Sequence, residues 1–249
     1  MRFKDRVAII TGSGRGIGKE IARRLAAEGA SVVISDINFD TARETAREIE
    51  SSFKVKVSPV HADVKKGGDI HELVESTMRD FGHIDILVNN AGIMYPTKIE
   101  NITEQEWDEV LDVNLRGVFF CSQAVSPFMK ERRQGGILNI ASVAGKIGGV
   151  ASGAHYSVSK AGVICLTKMF AKVLAPFGIT VNAIAPGPVD TAMSQLFSPQ
   201  EREDLIKMCP LGRFADTGDI AEAALFLLSN SGKHITGEIL DVNGGMLMD

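Results

Sequence analysis

Residues 11–18 read Thr-Gly-Ser-Gly-Arg-Gly-Ile-Gly, and the segments on either side limit what that run can be. Before it lies Val7–Thr11, a short β-branched apolar run. After it, Gly16–Glu28 sets Ile17, Ile21, Leu25 and Glu28 at helical spacing, and Gly29 ends the pattern. A strand, a glycine-rich turn and a helix in that order let the backbone come close to a pyrophosphate, which then sits at the helix N-terminus. The octet alone is a weak signal. Its strand-before, helix-after setting is what separates it from a turn that is glycine-rich for packing only.

The same alternation continues along the chain. Near-continuous apolar runs recur at Ser31–Asp36, Val55–Val60, Ile84–Asn89, Gly136–Ala141, Thr180–Ala185 and Glu238–Val242, the pattern of strands buried on both faces. Between them lie helical stretches at Asp40–Ser51, Gly68–Phe81, Thr103–Lys130, Ala154–Phe177 and Asp219–Ser229. Strict alternation predicts an α/β fold, a doubly wound Rossmann sheet of about seven parallel strands with helices on both faces. No composition break or internal repeat divides residues 1–249, so a single domain is expected. Its one long irregular stretch, about Gly187–Arg213, is read as a substrate lid.

Composition removes several function classes. With 27 Lys and Arg against 31 Asp and Glu, the net charge is -4 and no long block of one sign occurs. Nucleic acid and anionic membrane therefore have no basis as partners. No apolar run approaches the roughly 18 residues of a membrane span, and the N-terminal apolar run is too short for a signal peptide. The three Cys are far apart and sit in apolar segments, as reduced thiols in a cytoplasmic protein do. The five His show no metal-binding spacing, so no metal is expected. His155 adjoins Tyr156 but points roughly 100° away on a helix, a pocket wall and not a base.

Two further features carry chemistry. Asp36 ends the second strand, 18 residues after Gly18. A carboxylate there accepts hydrogen bonds from the adenosine ribose hydroxyls and repels a 2′-phosphate, which favours NAD over NADP. Arg15 pulls the other way, but it can face solvent or the pyrophosphate, whereas Asp36 would clash with the phosphate directly. The second feature is Tyr156-Ser-Val-Ser-Lys160 within a helical pattern. Positions i and i+4 share a face, so the Lys160 ammonium is expected near the Tyr156 phenol, lowering its pKa from about 10 towards general acid/base use. Ser142 follows the fifth strand at the rim where parallel sheets bind ligands, and could hold a substrate oxygen beside Tyr156.

In sum, these motifs resemble those of the short-chain dehydrogenase/reductase family over the whole chain. The matching elements are TGSGRGIG, Asp63-Val64, Asn89-Asn90-Ala91-Gly92, Asn114, Ser142, Tyr156 with Lys160, Asn182, and Pro186-Gly187 followed by Thr191. The resemblance implies Tyr156 as acid/base and Ser142 as the group that polarises the substrate oxygen. It makes Lys160 the partner of the nicotinamide ribose, and Asn114 the holder of a helix kink and a relay water. Gly12, Ser13, Gly14, Arg15, Gly16, Ile17 and Gly18 would cradle the phosphates, with Asp36 and Ile37 at the adenosine ribose. Asp63 and Val64 would flank the adenine, Asn90 and Gly92 the ribose, and Gly187, Val189 and Thr191 the nicotinamide.

Within the family the chain is most similar to 3-oxoacyl-carrier-protein reductases, through Ile235–Glu238 and Val242–Met246. That group usually prefers NADP, and Asp36 departs from it. The implied activity is hydride transfer between NAD and a secondary alcohol or ketone, with a 3-hydroxyacyl/3-oxoacyl thioester as first substrate. A polyol, sugar or hydroxysteroid is the alternative, and a catalytically silent cofactor-binding protein the competing class. Met94, Tyr95, Val150, Met193, Leu196 and Phe197 are candidate pocket walls, mostly apolar, which leans towards an acyl or alicyclic substrate. The resemblance also implies a homotetramer. An acyl-carrier protein would dock on basic residues near the pocket mouth, with Arg133 and Lys172 at the matching positions.

Overall fold

A computed structural model describes residues 1–149 and 151–248. Seven strands form one sheet: β1 (Val7–Thr11), β2 (Ser31–Asp36), β3 (Val57–His61), β4 (Ile86–Asn89), β5 (Gly135–Ile140), β6 (Ile179–Pro186) and β7 (Ile239–Val242). All neighbours are parallel, in the order β3-β2-β1-β4-β5-β6-β7. The expected doubly wound sheet is therefore present. The limits of β1 and β2 are those of the sequence reading, and the ends of the other strands shift by one or two residues, where hydrogen bonding rather than apolar character decides them.

The strands are apolar throughout because each must feed two cores. Ala8 and Ile10 of β1 point to one side with Val32, Ile34, Ile86 and Val88, under α1 (Gly16–Ala27), α2 (Phe39–Ser52) and α9 (Thr217–Leu228). Ile9 points to the other with Val33, Leu87, Ile137 and Val181, under α3 (Gly67–Phe81), α5 (Gly117–Arg132) and α7 (Ala154–Leu174), and the short α6 (Ala144–Ile147) follows β5. This is the period-2 alternation of a strand with both faces covered.

Two expectations change. The helix read over Thr103–Lys130 is broken into α4 (Glu104–Leu111), a π-turn at Asp112–Arg116, and α5. A widened turn needs an outside partner for its backbone strain. Here Asn114, fully buried inside the turn, is bonded to the backbone of Ile93, and Gly117 packs where a Cβ would lie 2.9 Å from the Val64 side chain. The stretch read as an irregular lid holds a 3-10 turn at Ala192–Leu196 and a helix, α8 (Pro199–Met208). Ser198 caps α8 by accepting from the Glu201 backbone N–H, with Pro199 at its first position, so a local signal made the helix.

Candidate active site

The strand order reverses between β1 and β4, and the crevice opens there. Because all strands are parallel, Thr11, Asp36, Asn89, Ile140 and Pro186 share one rim. The ends of β1 and β4 are locked together. Asn90 donates from Nδ2 to the carbonyls of Thr11 (2.9 Å) and Gly12 (2.8 Å), and the backbone N–H groups of Asn90 and Ala91 both donate to Thr11 Oγ1 at 3.1 Å. Above this junction lies a cavity of about 1350 Å³.

The glycine-rich turn forms one end of the cavity. Gly12 and Gly16 have φ of 62° and 60°, the left-handed region that glycine enters without strain. A Cβ on Gly12 would lie 2.8 Å from Ala91 Cα, and one on Gly18 would lie 2.7 Å from the Gly12 carbonyl oxygen. The helix that follows has Arg15 at its N-cap with no side-chain hydrogen bond, and no acidic residue in its first turn. Its first N–H groups thus keep their capacity for an anion, unlike those of α2, which Asn38 caps.

The placement of each expected residue is specific. Gly12, Arg15, Gly16, Ile17, Asp36, Ile37, Asp63, Val64, Asn90, Gly92, Met94, Ser142, Tyr156, Lys160, Gly187, Val189, Thr191, Met193 and Phe197 all line the cavity. Ser13, Gly14, Gly18 and Asn114 do not line it and act from behind. Ser13 turns its hydroxyl into the sheet, donating to the Ile10 carbonyl at 2.7 Å. Gly14 donates its N–H to Asp36 Oδ2 at 2.9 Å, while Asp36 Oδ1 accepts from Asn38 N at 3.0 Å. Both carboxylate oxygens of Asp36 are thus held by backbone at the cavity edge. Val150 lies outside the described residues. Tyr95 and Leu196 are wall residues, but His155 is not: it is fully buried, with Tyr95's ring centroid 6.2 Å away, and burial pushes its pKa down.

Asn114, Ser142, Tyr156 and Lys160 come together where the sequence put them. Asn114 Oδ1 accepts from Ile93 N (2.8 Å), and its Nδ2 donates to the Ile93 carbonyl (2.9 Å) and Ser159 Oγ (3.1 Å). Gly92 leaves the opening between them, since a Cβ there would lie 3.4 Å from Asn114 Oδ1 and 3.6 Å from Lys160 Nζ. Ser142 Oγ accepts from Ala144 N at 3.1 Å, and the Ser142 hydroxyl works to lower the pKa of the Tyr156 phenol.

One electrostatic expectation is corrected. Lys160 Nζ lies 5.6 Å from the centroid of the Tyr156 ring and donates to the Ile140 carbonyl at 2.7 Å, so it is not spent on the phenol oxygen. Burial pushes the Tyr156 pKa up, and only the Ser142 hydrogen bond opposes it. The same burial pushes Lys160 down to about 8. Desolvation disfavours the charged form of each group.

The basic residues also move in the reading. Arg133 precedes β5 while Ser142 follows its far end, and Lys172 stands sixteen residues along α7 from Tyr156, about 24 Å. Crossover helices run antiparallel to their strands, so both lie away from this cavity's mouth. Arg133 instead donates to the Pro176 carbonyl at 2.9 Å.

Sequence reasoning missed Glu109, which also lines the cavity. It accepts from the Tyr95 hydroxyl at 2.9 Å and faces Lys65 Nζ at 3.6 Å. No motif marks it, and α4's amphipathic pattern gave no sign of which Glu would turn inward. Leu205, Met208 and Met246 join the apolar end. Among the described residues no group of three or more His, Cys, Asp or Glu could hold a metal ion, and no helix is long and apolar enough to cross a membrane.

Residues 12–247 match the family described as enoyl-(acyl carrier protein) reductase. The chain is 41% identical over 247 residues to the 3-oxoacyl-[acyl-carrier-protein] reductase FabG of Staphylococcus epidermidis, covering 98% of this chain and 100% of that one. It is 40% identical over 248 residues to the reductase of the same name from Thermotoga maritima, covering 100% of both. The crystal structure of gox2181 superposes with a TM-score of 0.95 at 33% identity, covering 98% of this chain and 96% of that one.

The burial of Lys160 gives a pH test. Below about pH 8 the amine is charged in both the folded and unfolded chain, and the fold bears the cost of burying it. Between about 8 and the ordinary value of 10.5 the unfolded chain still holds a proton that the folded one has released, so stability rises with pH. Relative to Lys160→Met, the wild type should gain on the order of 1–3 kcal/mol across that window. Urea unfolding of both at pH 7.5 and pH 10.5 measures it; parallel behaviour of the two proteins would contradict the assignment.

Proposed function

The chain belongs to the short-chain dehydrogenase/reductase family, and from that premise we propose that it moves a hydride between NAD(H) and the 3-position of a 3-oxoacyl or 3-hydroxyacyl thioester. The observation that carries the reading is Ser142, Tyr156 and Lys160 on the wall of one cavity with Asn114 behind them, and an end of that cavity lined by Met193, Leu196, Phe197, Leu205 and Met208. The relatives' names speak of the same chemistry on carrier-linked 3-oxoacyl groups. A silent cofactor-binding protein would have no use for all four polar groups, and the apolar wall disfavours a polyol.

The turn residues Gly12, Arg15, Gly16 and Ile17, with the open first turn of α1, fit a pyrophosphate, and Asp36 with Ile37 fits the adenosine ribose. Nicotinamide supplies the hydride in reduction and accepts it in oxidation. The protein's share is the proton and the orientation. In reduction, Ser142 donates a hydrogen bond to the ketone oxygen, and Tyr156 gives that oxygen its phenolic proton as the carbon receives the hydride. A pKa pushed up by burial keeps Tyr156 protonated at neutral pH, the form this step needs. Lys160, held by the Ile140 carbonyl, would bind the nicotinamide ribose, and its ammonium would stabilise the phenolate left behind. Asn114 keeps the π-turn open behind it and would hold the relay water.

The choice of NAD rests on Asp36. Its two oxygens are held by Gly14 N and Asn38 N, so the carboxylate cannot swing away from a 2′-phosphate without losing both bonds. Assembly as a homotetramer is part of the same proposal. On α7, Val158, Cys165, Met169 and Val173 are exposed along one face, as is Phe120 on α5, a stripe that a second copy would cover.

Turnover of acetoacetyl and longer 3-oxoacyl thioesters, diols and steroids with NADH and NADPH tests the reading directly; activity confined to diols would overturn the thioester. Tyr156→Phe should lower kcat by at least about 10²-fold with little change in NADH affinity, and near-normal turnover would refute the acid/base role. Asp36→Ala should weaken NADH and shrink the preference over NADPH; a wild type that already prefers NADPH would show the carboxylate argument to be wrong. Light scattering should give a mass four times that of the 26.8 kDa chain, and a monomer would contradict the tetramer.

A further inference from the structure

The lid contains a side chain whose contacts do not serve the cavity directly. Helix α8 forms part of the cavity wall through Glu201, Asp204, Leu205 and Met208, yet no residue of α8 is buried. Core packing therefore does not fix where this helix stands. Most of its polar side-chain contacts are also internal: Ser198 with Glu201, Gln200 with Asp204, and Lys207 with Glu203 and Asp204. Among the described residues, the polar side-chain contacts that leave α8 are made by Arg202.

Arg202 is not on the cavity surface. Its Nη1 donates to the Ser194 carbonyl at 2.9 Å and to Ser194 Oγ at 2.9 Å, and its Nη2 lies 3.3 Å from Asp190 Oδ1. The guanidinium carbon sits 4.6 Å from the centroid of the Phe214 ring. Ser194 is buried, and its hydroxyl donates to the Thr191 carbonyl at 2.9 Å while accepting from Thr191 N at 3.2 Å. The root of the lid is itself anchored, since Asp190 N donates to the Ala215 carbonyl and Ala215 N to the Pro188 carbonyl, both at 2.9 Å. One planar side chain thus joins α8 to the 3-10 turn, to the Asp190–Thr191 root, and to the returning chain at Phe214.

We propose that Arg202 is a positioning residue, a latch that holds the α8 wall to the Thr191 side of the lid, so that a cofactor bound at Thr191 also sets the wall an acyl chain meets. The proposal rests on the oxidoreductase reading for its kinetic consequence and on the contacts above for its structural one. A guanidinium is suited to this: two N–H groups in one plane reach Ser194 and Asp190 while the flat face stacks on Phe214. A lysine keeps the charge but not the fork.

The test compares the wild type with Arg202→Ala and Arg202→Lys, and it has two arms. Hydrogen exchange with and without NADH needs no substrate. In the wild type NADH should slow exchange over 190–208 as one unit. In both variants it should still protect the 12–18 turn and the Thr191 region while α8 exchanges as it does without cofactor. Equal NADH-dependent protection of α8 in all three proteins would overturn the latch, and so would wild-type behaviour of Arg202→Lys. The kinetic arm uses a short and a medium-chain 3-oxoacyl thioester. Loss of the latch should raise KM for the longer one about tenfold, with the shorter one and both kcat values changed by less than about twofold. Equal KM changes at both lengths, or a fall in kcat alone, would mean general destabilisation and would overturn the proposal. A wild type inactive on every thioester would defeat the substrate reading, and the exchange arm would still decide the latch.

Discussion

The joint between β1 and β4 is the constraint on which the site depends. A parallel sheet that winds outward in both directions must separate two neighbouring strands' outgoing connections, and the gap between them is the crevice. Here that gap is held at a fixed width. Asn90 bridges to the carbonyls of Thr11 and Gly12, and Thr11 Oγ1 accepts from the backbone N–H groups of Asn90 and Ala91. The glycines of the turn follow from that closeness. Gly12 has Ala91 against it and Gly18 has Asn90 and Gly12 against it, so neither position has room for a side chain. The cavity residues at strand ends, among them Gly12, Asp36, Asn90, Ile140 and Pro186, are placed relative to this junction, because each strand's ladder leads back to β1 or β4.

On that frame the chemistry depends on controlled burial of charge. Lys160 is almost wholly buried, and Ile140 supplies the one carbonyl that makes this tolerable. A buried ammonium with a single neutral acceptor remains under strain, which is why its pKa falls to about 8. A hydroxyl-rich ligand bound at Gly92 and Tyr156 would offer Lys160 further acceptors. Tyr156 is raised by the same burial, and the π-turn at Asn114 keeps the space beside the two groups open.

Much of this was legible in the sequence because it is carried by local patterns. The strand–turn–helix run around 11–18, the i,i+4 spacing of Tyr156 and Lys160, and Asp36 at a strand end are each short-range signals with a physical cause. What was not legible is what tertiary contact decides. The π-turn depends on Ile93, twenty-one residues from Asn114, and on Val64 against Gly117. The sign of the Tyr156 shift depends on how deeply α7 is buried. Ser13 reads as a phosphate ligand by position, yet its hydroxyl bonds the Ile10 carbonyl inside the sheet. Arg133 and Lys172 read as pocket-mouth residues until the antiparallel run of helix and strand puts them at the other end.

The cavity therefore has two walls of different kinds. The side proposed for the cofactor is made of strand ends, buried polar side chains and glycines with no spare space, so it is rigid by construction. The opposite side, proposed for the substrate, is a 3-10 turn and a helix with no buried residue, and Arg202 contacts Ser194 and Asp190 at its root. Elements with few buried apolar contacts open at low free energy. A rigid floor with a lightly held wall keeps the hydride and proton geometry constant while the wall adapts to what lies beyond the reacting carbon. Substitutions that change which substrate is taken should then fall on 190–208 and on the Tyr95–Glu109 pair, where a side chain can change without disturbing the Thr11–Asn90 joint.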